Sequence, residues 1–201
     1  MSGIFVNYRS DDDDFAAALV DDHLRAVFGD HNVFKDTRSL EAGTDFPPEL
    51  WRRLLSSRVL LVLIGRRWLA LTDRSGSRRI DRADDYVRQE IEAALQSGLR
   101  IIPVLLNDAS LPAADELPAP LHGLVTRQFV RLRQRHSGMD LSHLVEAVSS
   151  SVPPLPAPAP DDGPAPAPSH VEFHQGGVWA AGATINGDVV AHDKHVHGGR
   201  S

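Results

Sequence analysis

In the stretch DDYVRQEIEAAL, Asp84 to Leu95, Tyr86 and Glu90 lie four residues apart. On an α-helix that spacing makes them neighbours on one face, with about 5 to 6 Å between Cβ atoms, so an aromatic ring and a carboxylate point together. By helical angle Glu90 falls at the border of the stripe formed by Val87, Ile91 and Ala94, whereas Glu92 points away. Partial burial is expected for Glu90 alone. A carboxylate in that position has two readings. It is an ordinary ion-pair partner of Arg88 or Arg52, or it stabilises positive charge that develops in a preorganised site.

A second group of candidates follows from where ligands bind in doubly wound sheets: outside the carboxyl ends of the strands, beside the point where strand order reverses. That rule selects Tyr8, Arg9 and Ser10 after the first apolar run and Gly65, Arg66, Arg67 and Trp68 after the third. The Arg9 guanidinium has the planar fork that grips phosphate oxygens in pairs. Its alternative is an ion pair with one of Asp11 to Asp14.

The elements that must position these residues are legible as short apolar runs alternating with helical patterns, the signature of a parallel α/β sheet covered on both faces. Strands are expected at 3 to 8, 32 to 35, 59 to 64, 100 to 106 and 128 to 133. Between them, Phe15, Leu19, Leu24 and Val27 form one helical face, and Leu50, Leu54 and Leu55 another. Val87, Ile91, Ala94 and Leu95 form a third, and Leu141, Leu144, Val145 and Val148 a fourth. Asp45, ahead of Pro47 and Pro48, and Asp140 read as N-caps. The result is one flavodoxin-like, five-stranded parallel sheet over residues 1–150.

From Ser151 the composition changes to a Pro/Ala tract, 151–169, which cannot bury a core and favours extended polyproline II. Residues 170–201 form a Gly- and His-rich, β-prone tail. There Asn186 to Asp188 offers a tight turn between ATI and VVA. A two-stranded hairpin is marginal alone, so the tail is expected to order by stacking on copies of itself or on a partner.

Composition narrows the function. The 201 residues carry a net charge of -6 and no cysteine, which argues against nucleic-acid binding and excludes disulfides, thiolate metal sites and a cysteine nucleophile. The longest apolar run is too short for a bilayer and no basic leader precedes one, so a cytoplasmic chain without membrane contact is expected. No GxSxG elbow, phosphate-loop glycine motif or HExxH occurs. Arg127, Arg131, Arg133 and Arg135 read as a basic edge strand that resists pairing. Asp73 to Asp85 read as a flexible, solvated loop able to gate a pocket. His192, His195 and His197 lack an evident partner set, and no metal is expected.

Across residues 1–150 the chain resembles the TIR domain family. IFVNYRSDDDDFAAAL is similar to its first motif, and VFKDTRSLEAGTDFPPEL to its second, with Asp36, Leu40, Glu41 and Gly43. LLVLIG, DYVRQEIEAAL and RIIPVLL complete the order. The similarity points to the branch that cleaves NAD in bacterial defence proteins and in the animal axon-degeneration enzyme. There the helix after the third strand carries an essential glutamate in a pattern of aromatic, three residues, glutamate, which here implies Tyr86 and Glu90, with tyrosine where tryptophan is common. The resemblance also implies substrate contacts from Tyr8, Arg9 and Ser10 and from Glu41 and Phe46.

That resemblance implies an NAD glycohydrolase giving nicotinamide and ADP-ribose or a cyclic variant, with NAD as substrate and no cofactor. It implies activation by self-association, in bacterial immunity or antiviral defence. The nicotinamide ring is already cationic in the substrate and needs no general acid to leave, so one carboxylate suffices, by analogy with glycoside hydrolysis. The tail resembles amyloid-type signalling motifs of bacterial immune proteins, implying a tail-mediated partner or homotypic stacking. The alternative is a non-catalytic adaptor working through contacts between TIR domains.

Overall fold

A computed structural model describes residues 3–35 and 48–156 and, in the tail, the backbone of 173–174 and 177–178. Five parallel strands form its sheet: β1 (Gly3–Asn7), β2 (Val33–Lys35), β3 (Ser57–Ile64), β4 (Arg100–Leu106) and β5 (Val130–Leu132). Their order is β2-β1-β3-β4-β5, the flavodoxin-like arrangement, which reverses between β1 and β3. The helices are α1 (Ser10–Phe28), α2 (Pro48–Ser56), α3 (Tyr86–Gln96), α4 (His122–Val125) and α5 (Ser137–Ser149).

Period-two alternation divides the core into two layers. Ile4, Val6, Leu61, Leu63, Ile102 and Val104 pack with α1 and α5 on one face. Phe5, Leu60, Val62, Ile64, Ile101 and Leu105 pack with α2, α3 and α4 on the other. Both faces are buried, which is why the strands read as continuous apolar runs. Pro103 sits inside β4, where a missing N–H would break a central ladder. The short β5 pairs only with Val104 to Leu106, so at Pro103 the strand has β3 alone as its neighbour.

Several expectations are corrected. Phe15 is 67% exposed, and the inward face of α1 is Ala17, Val20, Leu24 and Phe28. Asp13 has non-helical angles (φ -154, ψ 82), so the regular helix runs on after it, and on that helix Phe15 lies on the side opposite Ala17, Val20 and Leu24. Leu54 is buried while Leu55 is 55% exposed. Asp140 lies inside α5 rather than capping it. Its buried carboxylate accepts from the Arg133 backbone N–H at 2.8 Å and from the Arg133 guanidinium at 2.8 and 3.0 Å. Those bonds hold its pKa down to about 2, chiefly through the side-chain bonds. Arg133 is thus spoken for, and Arg131 donates to the carbonyls of Asn107 and Ala109, so the basic edge strand clamps its own loops.

Residues Met1–Pro156 form one compact unit and Ala157–Ser201 another. The first Pro/Ala residues stay on the domain: Val152 is fully buried, and the Leu155 N–H donates to the Val27 carbonyl at 2.8 Å. Leu155 also packs on Gly29, whose φ of +88 ends α1 in a conformation that favours glycine. In the tail, Phe173–His174 and Gly177–Val178 pair antiparallel. The ATI and VVA segments, Asn186 to Asp188 and His192, His195 and His197 lie outside the described residues, as do Asp45 and Pro47. Among the described residues no helix is long and apolar enough to cross a membrane.

Candidate active site at the carboxyl ends of the strands

The alternation of β1 continues past its last residue and sorts the turn that follows. Phe5, Asn7 and Arg9 face α3, while Tyr8 packs on the opposite face against the α1 layer, with the Lys35 ammonium 5.5 Å from its ring centroid. Asn7 and Arg9 are both buried polar residues at the mouth of the sheet.

Asp85 brings α3 to this turn. It is the N-cap of α3, extended at φ -73 and ψ 121, and accepts from the Arg88 backbone N–H at 2.9 Å. The same carboxylate receives both terminal nitrogens of Arg9, at 2.7 and 2.9 Å, and has the Arg79 Nε at 3.6 Å. The Arg9 guanidinium also lies over the buried Trp68 ring, 5.6 Å from its centroid. An ion pair this enclosed is worth keeping only when both partners are well bonded, and the two-pronged geometry meets that condition. Arg9 pairs with Asp85, not with Asp11 to Asp14.

Glu90 sits one turn further along α3 and is 3% exposed. The Asn7 Nδ2 donates to its Oε2 at 2.6 Å and to the Val87 carbonyl at 3.2 Å. Arg88, a candidate partner for Glu90, instead pairs with Glu92 at 2.6 Å. Tyr86 is half-buried and lines a cavity of about 720 Å³, together with Asp11, Thr72, Asp73, Arg79 and Asp85. Glu90 is buried and is not among the described residues that line this cavity. Asn7 Oδ1, Arg9 Nε and Trp68 Nε1 are buried polar atoms with no hydrogen-bond partner among the described residues, and all three belong to this corner.

The loop after β3 is built around Asp12. Its carboxylate accepts from the Gly65 N–H at 2.7 Å and the Arg67 N–H at 2.8 Å, tying α1 to the switch point. Burial raises the Asp12 pKa, a shift that those two N–H groups oppose. A Cβ on Gly65 would stand 2.6 Å from the Asp12 carboxylate, so any larger residue must displace that carboxylate. Further on, the segment expected to be flexible is a bonded turn. Asp73 accepts from the Ser75 and Ser77 backbones and the Ser75 hydroxyl, and Thr72 bridges Arg78. Arg82 joins Asp73 to Asp84, and Ile80 is fully buried beneath. The side-chain bonds of Ser75 and Arg82 hold the Asp73 carboxyl well below its usual range.

Of the residues singled out in the sequence, the structure brings Arg9, Tyr86 and Glu90 to one corner. Tyr8 lies on the other face of the sheet, and Ser10 is exposed at the start of α1. Glu41 and Phe46, with Asp36, Leu40 and Gly43, lie outside the described residues. Asn7, Asp85 and Asp12 were not singled out. Asn7 had one available signal: it shares strand parity with Phe5 and Arg9 and is polar at the end of an apolar run. Among the described residues no group of three His, Cys, Asp or Glu side chains could hold a metal ion.

A doubly wound sheet carrying a buried carboxylate beside its switch point defines a flavodoxin-like α/β domain. Residues 4–145 match the TIR domain family, and the chain belongs to it. No curated protein matches the sequence. Among solved structures, the chain is similar to the TIR domains of the activated Roq1 resistosome recognising the pathogen effector XopQ. The similarity has a TM-score of 0.50 at 12% identity, covering 74% of this chain and 99% of that one. At that identity it speaks for the fold alone.

Proposed function

We propose that this TIR domain cleaves the nicotinamide–ribose bond of NAD, with Glu90 as the catalytic carboxylate. The observation that carries the reading is the placement of Glu90: enclosed on α3, hydrogen-bonded to Asn7, and one helical turn from Tyr86 at the carboxyl ends of the strands. The bond between ribose C1′ and the nicotinamide nitrogen breaks, and its electron pair leaves with nicotinamide, which departs neutral. Water attacks C1′ to give ADP-ribose and a proton, or an adenine nitrogen attacks to give the cyclic product. A carboxylate beside the ribose holds its hydroxyls and offsets the charge of the oxocarbenium-like transition state. Tyr86 offers a ring for stacking. Ser10, Glu41 and Phe46 remain nucleotide contacts on the strength of the family resemblance. Arg9, whose two terminal nitrogens are engaged with Asp85, positions α3 instead of gripping phosphate.

The enclosure of Glu90 favours a second reading, a non-catalytic adaptor. The two meet in activation by self-association: a lone domain keeps Glu90 covered, and assembly in a bacterial immune setting opens and completes the site. The segment 151–169 and the tail 170–201 serve this by clustering chains and raising the local concentration of domains. Product analysis by chromatography of NAD incubated with concentrated full-length protein tests the reading. Nicotinamide together with linear or cyclic ADP-ribose supports it. Intact NAD at every protein concentration leaves the adaptor.

A further inference from the structure

We infer that Asn7 is the positioning residue for Glu90, holding its carboxylate ionised and oriented through the side-chain amide. The inference rests on the catalytic reading of Glu90 for its purpose, and on geometry for its content. The Asn7 Nδ2 is 3.2 Å from the Val87 carbonyl and 2.6 Å from Glu90 Oε2. A carbonyl only accepts, so the amide end that meets Val87 must be the NH2 group. That fixes which end meets Glu90. One amide hydrogen goes to the helix backbone and the other to the carboxylate, and a carboxylate oxygen that receives an N–H has no need of a proton there. Hydrogen bonding to the charged form favours ionisation, against the burial that opposes it.

Two further observations agree. The other end of the amide, Oδ1, is buried with no partner among the described residues, so the side chain satisfies its donors and not its acceptor. A purely structural asparagine is normally bonded at both ends. Among the described residues, several cations on the elements around α3 have partners of their own. Arg9 and Arg79 pair with Asp85, Arg88 with Glu92 and Arg53 with Glu49; His122 meets the Leu117 carbonyl, and Arg52 is exposed. Asp85, one turn before Glu90, adds negative charge that its arginines offset.

The test replaces the NH2 with an oxygen of the same size, in full-length protein. In Asn7→Asp, two carboxyl groups occupy the place of a 2.6 Å hydrogen bond and must share a proton. Carbon-13 NMR of the Glu90 carboxyl reads the effect directly. The titration midpoint should rise by at least about one pH unit relative to native protein. Asn7→Ser, which shortens the side chain without adding charge, should move the midpoint less, and it serves if the aspartate variant does not fold. NAD turnover of the clustered protein should fall at least about tenfold in kcat with KM within about threefold, since a misoriented or protonated carboxylate affects the transition state more than binding. A Glu90 midpoint unchanged in both variants overturns the inference. A shifted midpoint in a protein that cleaves no NAD supports the inference about Asn7 and overturns the NAD reading alone.

Discussion

Arg9 and Asp85, separated by 76 positions in the chain, form a buried two-pronged ion pair with N–O distances of 2.7 and 2.9 Å. Asp85 is at once the cap of α3 and the anchor that draws that helix to the end of β1. The pair therefore sets where Tyr86 and Glu90 stand. Arg9→Ala leaves the buried Asp85 carboxylate with its helix N–H and only the more distant Arg79, and should cost about 3–5 kcal/mol of stability in urea denaturation. Arg9→Lys cannot span both oxygens and should cost less, yet stay below native. A raised KM for NAD with unchanged stability would return Arg9 to the role of phosphate ligand.

Gly65→Ala should destabilise the domain by about 1–3 kcal/mol, because the new methyl displaces the Asp12 carboxylate from two backbone N–H groups. Asp12→Ala loses the same bonds. The double variant should therefore lose clearly less than the sum, measured as a double-mutant cycle of denaturation free energies. Full additivity would separate the two residues.

Acid stability should depend on Asp140. Arg133 holds its folded pKa at about 2, below the ordinary 3.8. A depressed carboxyl stabilises the fold above the unfolded value and loses that contribution as pH falls from about 4 toward 2. Asp140→Asn should lower stability at pH 7 by about 1–3 kcal/mol and flatten the decline over that window, read from thermal unfolding at a series of pH values. Parallel native and variant curves would place the acid sensitivity elsewhere.

Truncation should distinguish the true end of the domain. Ending the chain after Ser150 removes the buried Val152 and the Leu155 to Val27 bond, and should cost about 2–4 kcal/mol. Ending it after Pro156 should leave the melting temperature of the domain unchanged and lower NAD turnover only at dilute protein. Equal stability of the two truncations would show that Val152 adds nothing.

The apolar runs made β1, β3 and β4 legible, since strands buried on both faces carry their signal in every residue. The helical faces were less so. In α1 the large Phe15 drew the stripe toward solvent, while the small Ala16 and Ala17 mark where the helix meets the sheet. Glu90 was placed by its four-residue spacing from Tyr86, but its hydrogen bond to Asn7, 83 positions away, is tertiary, and no local pattern connects the two. Asp85 has the form of an N-cap; its bond to Arg9 is tertiary and leaves no local trace. Asp140 also has that form, and Arg133 in the preceding turn took it for another purpose.

The enclosure of Glu90 shapes the decisive comparison. Glu90→Ala would leave the Asn7 amide unpaired as well as remove the carboxylate, whereas Glu90→Gln keeps an acceptor oxygen and the shape. The measurement is nicotinamide release from NAD by concentrated full-length native protein and Glu90→Gln, side by side, with melting temperatures recorded for both. The account predicts release by native protein, a loss of about 10²–10³-fold in the variant, and closely matched melting temperatures. Equal release by the two proteins, or none by the native one, would contradict it.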